Sequence, residues 1–158
     1  MPQVFRLVRE RHADHAYDGE GARLYGGRWN PRGQGMVYTA GSRALAVLEL
    51  LVNASWEDLL TARLVIVPAT VPKELVKAVE DRAPLPGDWF RHPAPPAVAK
   101  LGAAWLAGLG SAALSVPSAV VPAERNYLLN PRHGRFAEVE VGAVEPFPLD
   151  LRLRPPPP

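Results

Sequence analysis

Alternating or β-branched apolar residues predict several short strands along the chain. In residues 4–8 (VFRLV), Phe5 and Leu7 fall on one face of such a strand, and Arg6 shares the other face with two valines. The remaining predicted strands are residues 36–39, 63–68 and 137–141, and one more that begins at Ser118, after Pro117.

Longer apolar segments predict helices. Residues 43–53 (RALAVLELLVN) follow Ser42, a suitable N-cap, and are apolar on nearly every side, which predicts a buried helix. The other predicted helices are residues 72–80, with a single apolar face, and residues 97–109, with Trp105 as an anchor. The predicted loops and turns are residues 9–25, 26–31, 83–96 and 126–133.

Strands and helices are interleaved without a regular βαβ period, which predicts an α+β fold with small mixed sheets and packed helices. A chain of 158 residues is long enough for one core, so we expect a single compact domain over residues 1–150. The segment 151–158 (LRLRPPPP) ends in four prolines and is predicted to be an extended, disordered tail.

Composition and charge narrow the possible functions. The content of 47% hydrophobic and 22% charged residues is typical of a globular protein. The net charge is +2 and the arginines are scattered, which argues against direct binding of nucleic acid. Because there is no cysteine, no signal-peptide pattern and no long apolar run, we expect a cytoplasmic protein outside the membrane. His12 and His15 lack the further ligands of a zinc site, so no metal is expected.

Glu49 is the one acid in the apolar helix of residues 43–53. Burying an unpaired carboxylate costs several kcal/mol, so Glu49 is either a functional residue or lies at a solvated edge of the helix. Arg6 has two possible interpretations as well. It is either a functional guanidinium or an exposed arginine on an edge strand.

The segment Gly26-Gly27-Arg28-Trp29-Asn30 precedes a proline. Its glycines permit a tight turn, but a turn alone does not explain an arginine and a tryptophan at its centre. Arginine binds phosphate or carboxylate, and tryptophan offers a stacking face. The glycine patterns of phosphate loops and dinucleotide-binding loops are both absent.

Several motifs in this order resemble one family. GGRWNP is followed by VYTA, by the helix with LELL, and by VPSAVV with NYLLNP and a histidine. Together these residues resemble the RES domain, which is named for an arginine, a glutamate and a serine and is found in bacterial toxin–antitoxin modules. The resemblance covers about residues 5–133.

The resemblance implies a fold similar to that of ADP-ribosyltransferase toxins such as diphtheria toxin, with NAD as substrate and an antitoxin of the Xre type as partner. It implies that Arg6, Glu49 and Ser118 are catalytic residues. It also implies that Arg28, Tyr38 and Asn130 bind the dinucleotide. Either Arg6 or Arg28 is the arginine that gives the family its name.

Cleavage of the nicotinamide–ribose bond gives a reason for this set of residues. The transition state resembles an oxocarbenium ion, which a carboxylate such as Glu49 stabilises. Arginine suits the diphosphate, the Tyr38 ring can stack on nicotinamide, and Ser118 can bond the amide or the ribose. Ser118 can equally be a hydroxyl at a strand start. The acceptor stays open between water, inorganic phosphate and a protein, and a partner-binding module without turnover is a further alternative.

Overall fold

One mixed sheet of eight strands forms the centre of the computed structural model, which describes residues 1–158. The strands are β1 Gln3–Arg9, β2 Val37–Ala40, β3 Leu64–Thr70, β4 Val76–Ala78, β5 Ala113–Pro117, β6 Arg125–Leu129, β7 Glu140–Val141 and β8 Glu145–Phe147. Their order is β4-β5-β6-β2-β1-β3-β7, and β8 also pairs with β3. All pairs are antiparallel except β4 with β5. The predicted α+β class is confirmed, with one continuous sheet in place of several small ones.

Four α-helices accompany the sheet: α1 Glu20–Tyr25, α2 Arg43–Asn53, α3 Trp56–Thr61 and α4 Pro96–Gly108. The Ser42 hydroxyl caps α2 by accepting from Leu45 N at 3.1 Å, as predicted. The first turn of α4 begins with Pro96, where a missing N–H costs nothing. None of the helices has the length and hydropathy of a membrane span.

The core lies on both faces of the sheet. Phe5 and Ile66 pack against Leu45 and Ala46 of α2. Their strand neighbours face the opposite way and join the largest buried cluster, which includes Val4, Val65, Val67 and Leu129. Trp105 of α4 is fully buried among the apolar side chains of β5 and β6, and its indole N–H donates to Ser111 Oγ at 2.8 Å.

Helix α2 is not buried on all sides, contrary to the prediction from its composition. Only Leu45 and Ala46 are buried, whereas Leu48 is 39% and Val52 59% exposed. The helix rests on the sheet through one face and borders an open cavity with another. Several apolar side chains of α2 are therefore not needed for packing against the sheet.

The predicted helix over residues 72–80 is wrong. Two 3₁₀ turns, Lys73–Leu75 and Val79–Asp81, flank the short strand β4. Leu75 and Val79 are both buried, and their spacing of four residues imitates a helical face. Pairing of β4 with β5 overrides that local pattern.

The strand expected to begin at Ser118 lies before that residue. Strand β5 ends at Pro117, and Ser118 follows it. All five residues of β5 are buried, so its sequence has no alternation to mark it as a strand. The turn predicted over residues 126–133 is wrong in its first half, because β6 runs to Leu129.

The structure differs from the sequence predictions in three smaller ways. The loop predicted over residues 9–25 contains a 3₁₀ turn, Glu10–His15, and α1. The last predicted strand is shortened to β7, because Phe136–Glu138 form a 3₁₀ turn. In the C-terminal segment, Leu151–Leu153 form a 3₁₀ turn capped by Asp150. The domain limit at residue 150 stays a prediction.

Candidate active site

A cavity of about 1080 Å³ opens between α2, the strands β1 and β2, residues 26–29 and the loop 90–94. This volume is at the upper end for ligand sites and is large enough for a dinucleotide. Its charged lining residues are Arg6, Arg28 and Glu49, so Glu49 is the only carboxylate in a cavity with two guanidinium groups. The electrostatics favour a ligand that carries negative charge.

Glu49 is held at one oxygen by two side chains. Its Oε1 accepts from Ser118 Oγ at 2.7 Å and from Asn126 Nδ2 at 2.7 Å. Both hydrogen bonds are short and fix the position of this oxygen. We call these three residues the Glu49 clamp. No protein group donates to Oε2, so one oxygen of a fixed carboxylate is left for a ligand in the cavity that Glu49 lines.

Ser118 is fully buried and does not line the cavity. Its Oγ accepts from Val120 N and Val121 N, both at 3.1 Å, which leaves only its proton for Glu49. With both lone pairs occupied by backbone N–H groups and no access to the cavity, this hydroxyl has no means to act as a nucleophile. The structure therefore places Ser118 behind Glu49, where it orients the carboxylate.

Two buried side-chain polar atoms in the protein have no hydrogen-bond partner, and both belong to residues that line the cavity. They are Arg6 Nε, a donor, and Asn126 Oδ1, an acceptor. The amide of Asn126 cannot be reversed, because a carboxylate accepts only from its NH₂ group. An unsatisfied buried group costs about 1–3 kcal/mol. One unused donor and one unused acceptor thus lie just beneath the cavity surface, on two residues that line it.

The Arg6 guanidinium also donates from Nη1 to the Tyr38 carbonyl oxygen at 3.0 Å, which fixes it against β2. Burial lowers the pKa of Arg6, and the nearby Tyr17 phenol and Asp18 carboxylate oppose that shift. Arginine nevertheless stays protonated in proteins. Arg6 is therefore a permanent, fixed cation in the cavity wall.

A second polar network consists of residues 26–30 together with Tyr38, and we call it the GGRWN turn. Tyr38 OH donates to Asn30 Oδ1 at 2.6 Å and accepts from Trp29 N at 3.0 Å. Burial raises the pKa of Tyr38, so its phenol is neutral while the ring faces the cavity. A β-carbon on Gly27 would lie 2.5 Å from the Tyr38 hydroxyl oxygen, which explains the glycine.

Asn30 completes this network. Its Nδ2 lies within hydrogen-bond distance of the carbonyl oxygens of Ala22, Pro31 and Gln34, at 2.9–3.0 Å. Arg28 uses its Nη1 to donate to the carbonyl oxygens of Trp89 at 3.0 Å and Arg91 at 2.8 Å. Asn30, Tyr38 and the Nη1 of Arg28 thus form a scaffold of hydrogen bonds to other protein groups.

Asn130 does not join the other predicted site residues. It is buried outside the cavity, where its Oδ1 accepts from Arg132 N at 3.0 Å and its Nδ2 makes a long, 3.4 Å contact with the Leu106 carbonyl oxygen. Asn126, four residues earlier, contacts Glu49 instead and was missed. Asn126 lies two residues before the buried Leu128, on the same face of β6. This relation can be recognised only once β6 is known to be a strand.

Arg6, Arg28, Tyr38 and Glu49 all line the cavity, and Ser118 supports it through Glu49. No group of three or more histidine, cysteine or acidic side chains is arranged around a possible metal position. The site therefore offers a fixed carboxylate, a fixed cation and an aromatic face.

The family model described as the RES domain matches residues 3–150. Toxin Res of Photorhabdus laumondii is 38% identical, and the alignment covers 95% of this chain and 96% of that protein. Prs ADP-ribosylating toxin of Sphingobium sp. is 37% identical over 94% of each chain.

Among solved structures, the chain is similar to one from the crystal structure of the M. tuberculosis MbcT–MbcA toxin–antitoxin complex. The TM-score is 0.68 at 18% identity, and the match covers 92% of this chain and 83% of the other. At this level of identity the similarity concerns the fold.

Proposed function

Since the chain belongs to the RES domain family, we propose that it is the toxin of a bacterial type II toxin–antitoxin module and cleaves the nicotinamide–ribose bond of NAD. The observation that carries this proposal is the Glu49 clamp, in which one carboxylate oxygen is held by two donors and the other is left to the cavity. Relatives named as toxins, one of them as ADP-ribosylating, support the same function.

Glu49 stabilises the cation that forms when the bond breaks. The electron pair of the C1′–N bond leaves with nicotinamide, which departs as a neutral molecule, so no strong general acid is required. The ribose then carries an oxocarbenium-like charge, which Glu49 Oε2 faces at a fixed orientation. An oxygen of the acceptor then forms the new bond to C1′, and where that acceptor is water its proton passes to the solvent.

Arg6, rather than Arg28, is the arginine that we assign to the substrate. Its Nε is an unused donor in the cavity wall, and its charge is permanent, which suits a diphosphate oxygen or a ribose hydroxyl. The Nη1 of Arg28 is already used by two carbonyl oxygens. Asn126 Oδ1 would accept from a ribose hydroxyl or from the nicotinamide NH₂, and the Tyr38 ring would stack on nicotinamide.

The test is release of nicotinamide from NAD by the purified protein, followed by chromatography. We expect turnover in the wild type and a loss of about a hundredfold or more in Glu49→Ala, as expected when a main electrostatic stabiliser is removed. The absence of nicotinamide release in the wild type would favour the alternative of a partner-binding module without catalysis.

A second candidate function is transfer of ADP-ribose to a protein, which the relative named as an ADP-ribosylating toxin favours. Incubation with NAD labelled in the adenylate part separates the acceptors. A labelled protein band indicates transfer, free ADP-ribose indicates hydrolysis, and a phosphorylated ADP-ribose formed only in the presence of inorganic phosphate indicates phosphorolysis.

The partner in this proposal is an antitoxin of the Xre type, and the cytoplasm, where NAD is available, is the proposed location. Coexpression with the product of a neighbouring helix-turn-helix gene should permit growth and give a complex on purification. Full tolerance of the active toxin without that gene would argue against the toxin assignment.

A further inference from the structure

Two exposed aromatic side chains stand at the opening of the cavity. Tyr25 is 77% exposed and Phe90 is 53% exposed, and both line the cavity. Large aromatic rings left in water forgo the stabilisation that burial would bring. Exposed rings at the mouth of a binding cavity therefore favour contact with a ligand, and the proposed role of Glu49 uses neither of them.

The position of Tyr25 is set by its place in the chain. It is the last residue of α1, and Gly26 follows with a φ of 72°, a left-handed conformation that glycine adopts without strain. The GGRWN turn comes directly after it and is fixed by Asn30. Tyr25 thus projects from a rigid corner although its ring is exposed.

Phe90 is held by Arg28. The carbonyl oxygens on either side of it, those of Trp89 and Arg91, both accept from Arg28 Nη1, at 3.0 and 2.8 Å. Arg28 therefore ties the loop that carries Phe90 to the turn that follows Tyr25. This contact gives the arginine at the centre of the GGRWN turn a function that a simple turn does not explain.

We propose that Tyr25 and Phe90 form the subsite for the adenine ring of NAD and that Arg28 is the residue that positions them. The inference rests on the proposed function, which assigns the nicotinamide end to Glu49. A dinucleotide carries a second planar ring beyond its diphosphate, and the exposed aromatic side chains of the cavity lie at its mouth. Stacking on aromatic rings suits adenine because it needs only a π-face.

Comparison of NAD with nicotinamide mononucleotide, which lacks the adenylate half, tests this subsite. In the double variant Tyr25→Ala/Phe90→Ala the KM for NAD should rise about tenfold with kcat unchanged, because stacking contributes to binding of the adenine alone. The KM for nicotinamide mononucleotide should not change. Arg28→Ala should raise the KM for NAD in the same way and add little to the double variant.

Two control variants separate stacking from general damage. Tyr25→Phe/Phe90→Tyr keeps both rings and should keep the wild-type KM for NAD. Leu60→Ala removes an exposed apolar side chain that does not line the cavity and should change neither KM. An equal rise for both substrates, or an unchanged KM for NAD in the double alanine variant, would overturn the subsite.

Binding of ADP-ribose, followed by titration calorimetry, tests the subsite independently of turnover. Weaker binding by the double alanine variant than by the wild type supports it, even if the wild type releases no nicotinamide and the proposed function fails. Equal affinity in the two proteins, or no binding by the wild type, contradicts it.

Discussion

The Glu49 clamp and the GGRWN turn border the same cavity but differ in how their polar atoms are used. In the turn, Asn30, Tyr38 and the Nη1 of Arg28 make their hydrogen bonds to other protein groups. In the clamp, Asn126 Oδ1 and Glu49 Oε2 have no protein donor, and the neighbouring Arg6 Nε has no acceptor. A satisfied network fixes shape, whereas an unsatisfied one keeps bonding capacity for a ligand.

Mutations in the two regions should therefore have different effects. Changes in the clamp should lower kcat beyond any loss of stability that they also cause. Changes in the GGRWN turn should reduce stability with a limited loss of kcat.

The largest effect within this comparison is expected for Ser118→Ala. The variant removes one of the two donors to Glu49 and leaves Val120 N and Val121 N without their acceptor. A displaced carboxylate should lower kcat about a hundredfold while the KM for NAD changes little. Ser111→Ala is the matched control, since this buried serine bonds Trp105 away from the cavity and should cost stability alone. Equal kcat losses in both variants would remove the positioning role of Ser118.

The second effect is a change in pH dependence in Asn126→Asp. The new carboxylate faces Glu49 Oε1 in place of an NH₂ donor, and two carboxylates in contact retain a proton to higher pH than one alone. We expect the acid limb of the kcat profile to move up by about one pH unit or more. Asn130→Ala, which lies outside the cavity, should leave the profile unchanged. An unshifted profile in Asn126→Asp would contradict the clamp.

The third effect concerns the GGRWN turn. Tyr38→Phe keeps the ring but removes the hydroxyl that joins Asn30 Oδ1 to Trp29 N. The free energy of unfolding should fall by about 1–2 kcal/mol, because two groups lose a partner. Urea denaturation measures this loss, and kcat should stay within about threefold of the wild type because the ring is retained. A large fall in kcat at unchanged stability would place the Tyr38 hydroxyl in the reaction itself.

The smallest effect is expected at the first residue of β6, Arg125, next to Asn126 of the clamp. Arg125 bonds both carboxylate oxygens of Glu80, at 2.8 and 2.9 Å, and lowers the pKa of Glu80. Because the folded pKa is depressed, the stabilisation is present above the ordinary value of 4.5 and is lost as pH falls through the folded value. Glu80→Gln should therefore lower the free energy of unfolding at neutral pH by about 0.5 kcal/mol, the size expected for a half-exposed pair, and by nothing in strong acid.

Denaturation of both proteins at neutral and acid pH measures this difference. A gap between wild type and Glu80→Gln that persists in strong acid would show that the carboxylate charge is not its cause.

The sequence predicted the parts of the fold that leave a local pattern. Strands β1, β2 and β3 were predicted within two residues at each end, because alternation or β-branching marks them. Strand β5 is buried throughout, and β6 contains asparagine and precedes Asn130-Pro131, so neither has such a mark. Both strands are determined by pairing with segments that are distant in the sequence. Such pairing cannot be predicted from a local pattern of residues.

The candidate site was predictable where a residue type contradicted its surroundings. Glu49 in an apolar helix was found in this way, whereas Arg6 was assigned from the resemblance to the RES domain. Both residues line the cavity. The contact between Glu49 and Ser118 spans 69 positions, so no spacing rule indicates it. Asn130 was assigned from the resemblance to the RES domain, whereas Asn126 of β6 is the asparagine that reaches Glu49.

The most direct test of the account is the kcat and Tm of Glu49→Gln. The glutamine oxygen can still accept from Ser118 and Asn126, so the geometry of the clamp is kept while the negative charge is lost. We predict that nicotinamide release falls about a hundredfold or more, with the Tm and the affinity for ADP-ribose unchanged. Release within about threefold of the wild-type rate would contradict the claim that the Glu49 charge stabilises the transition state.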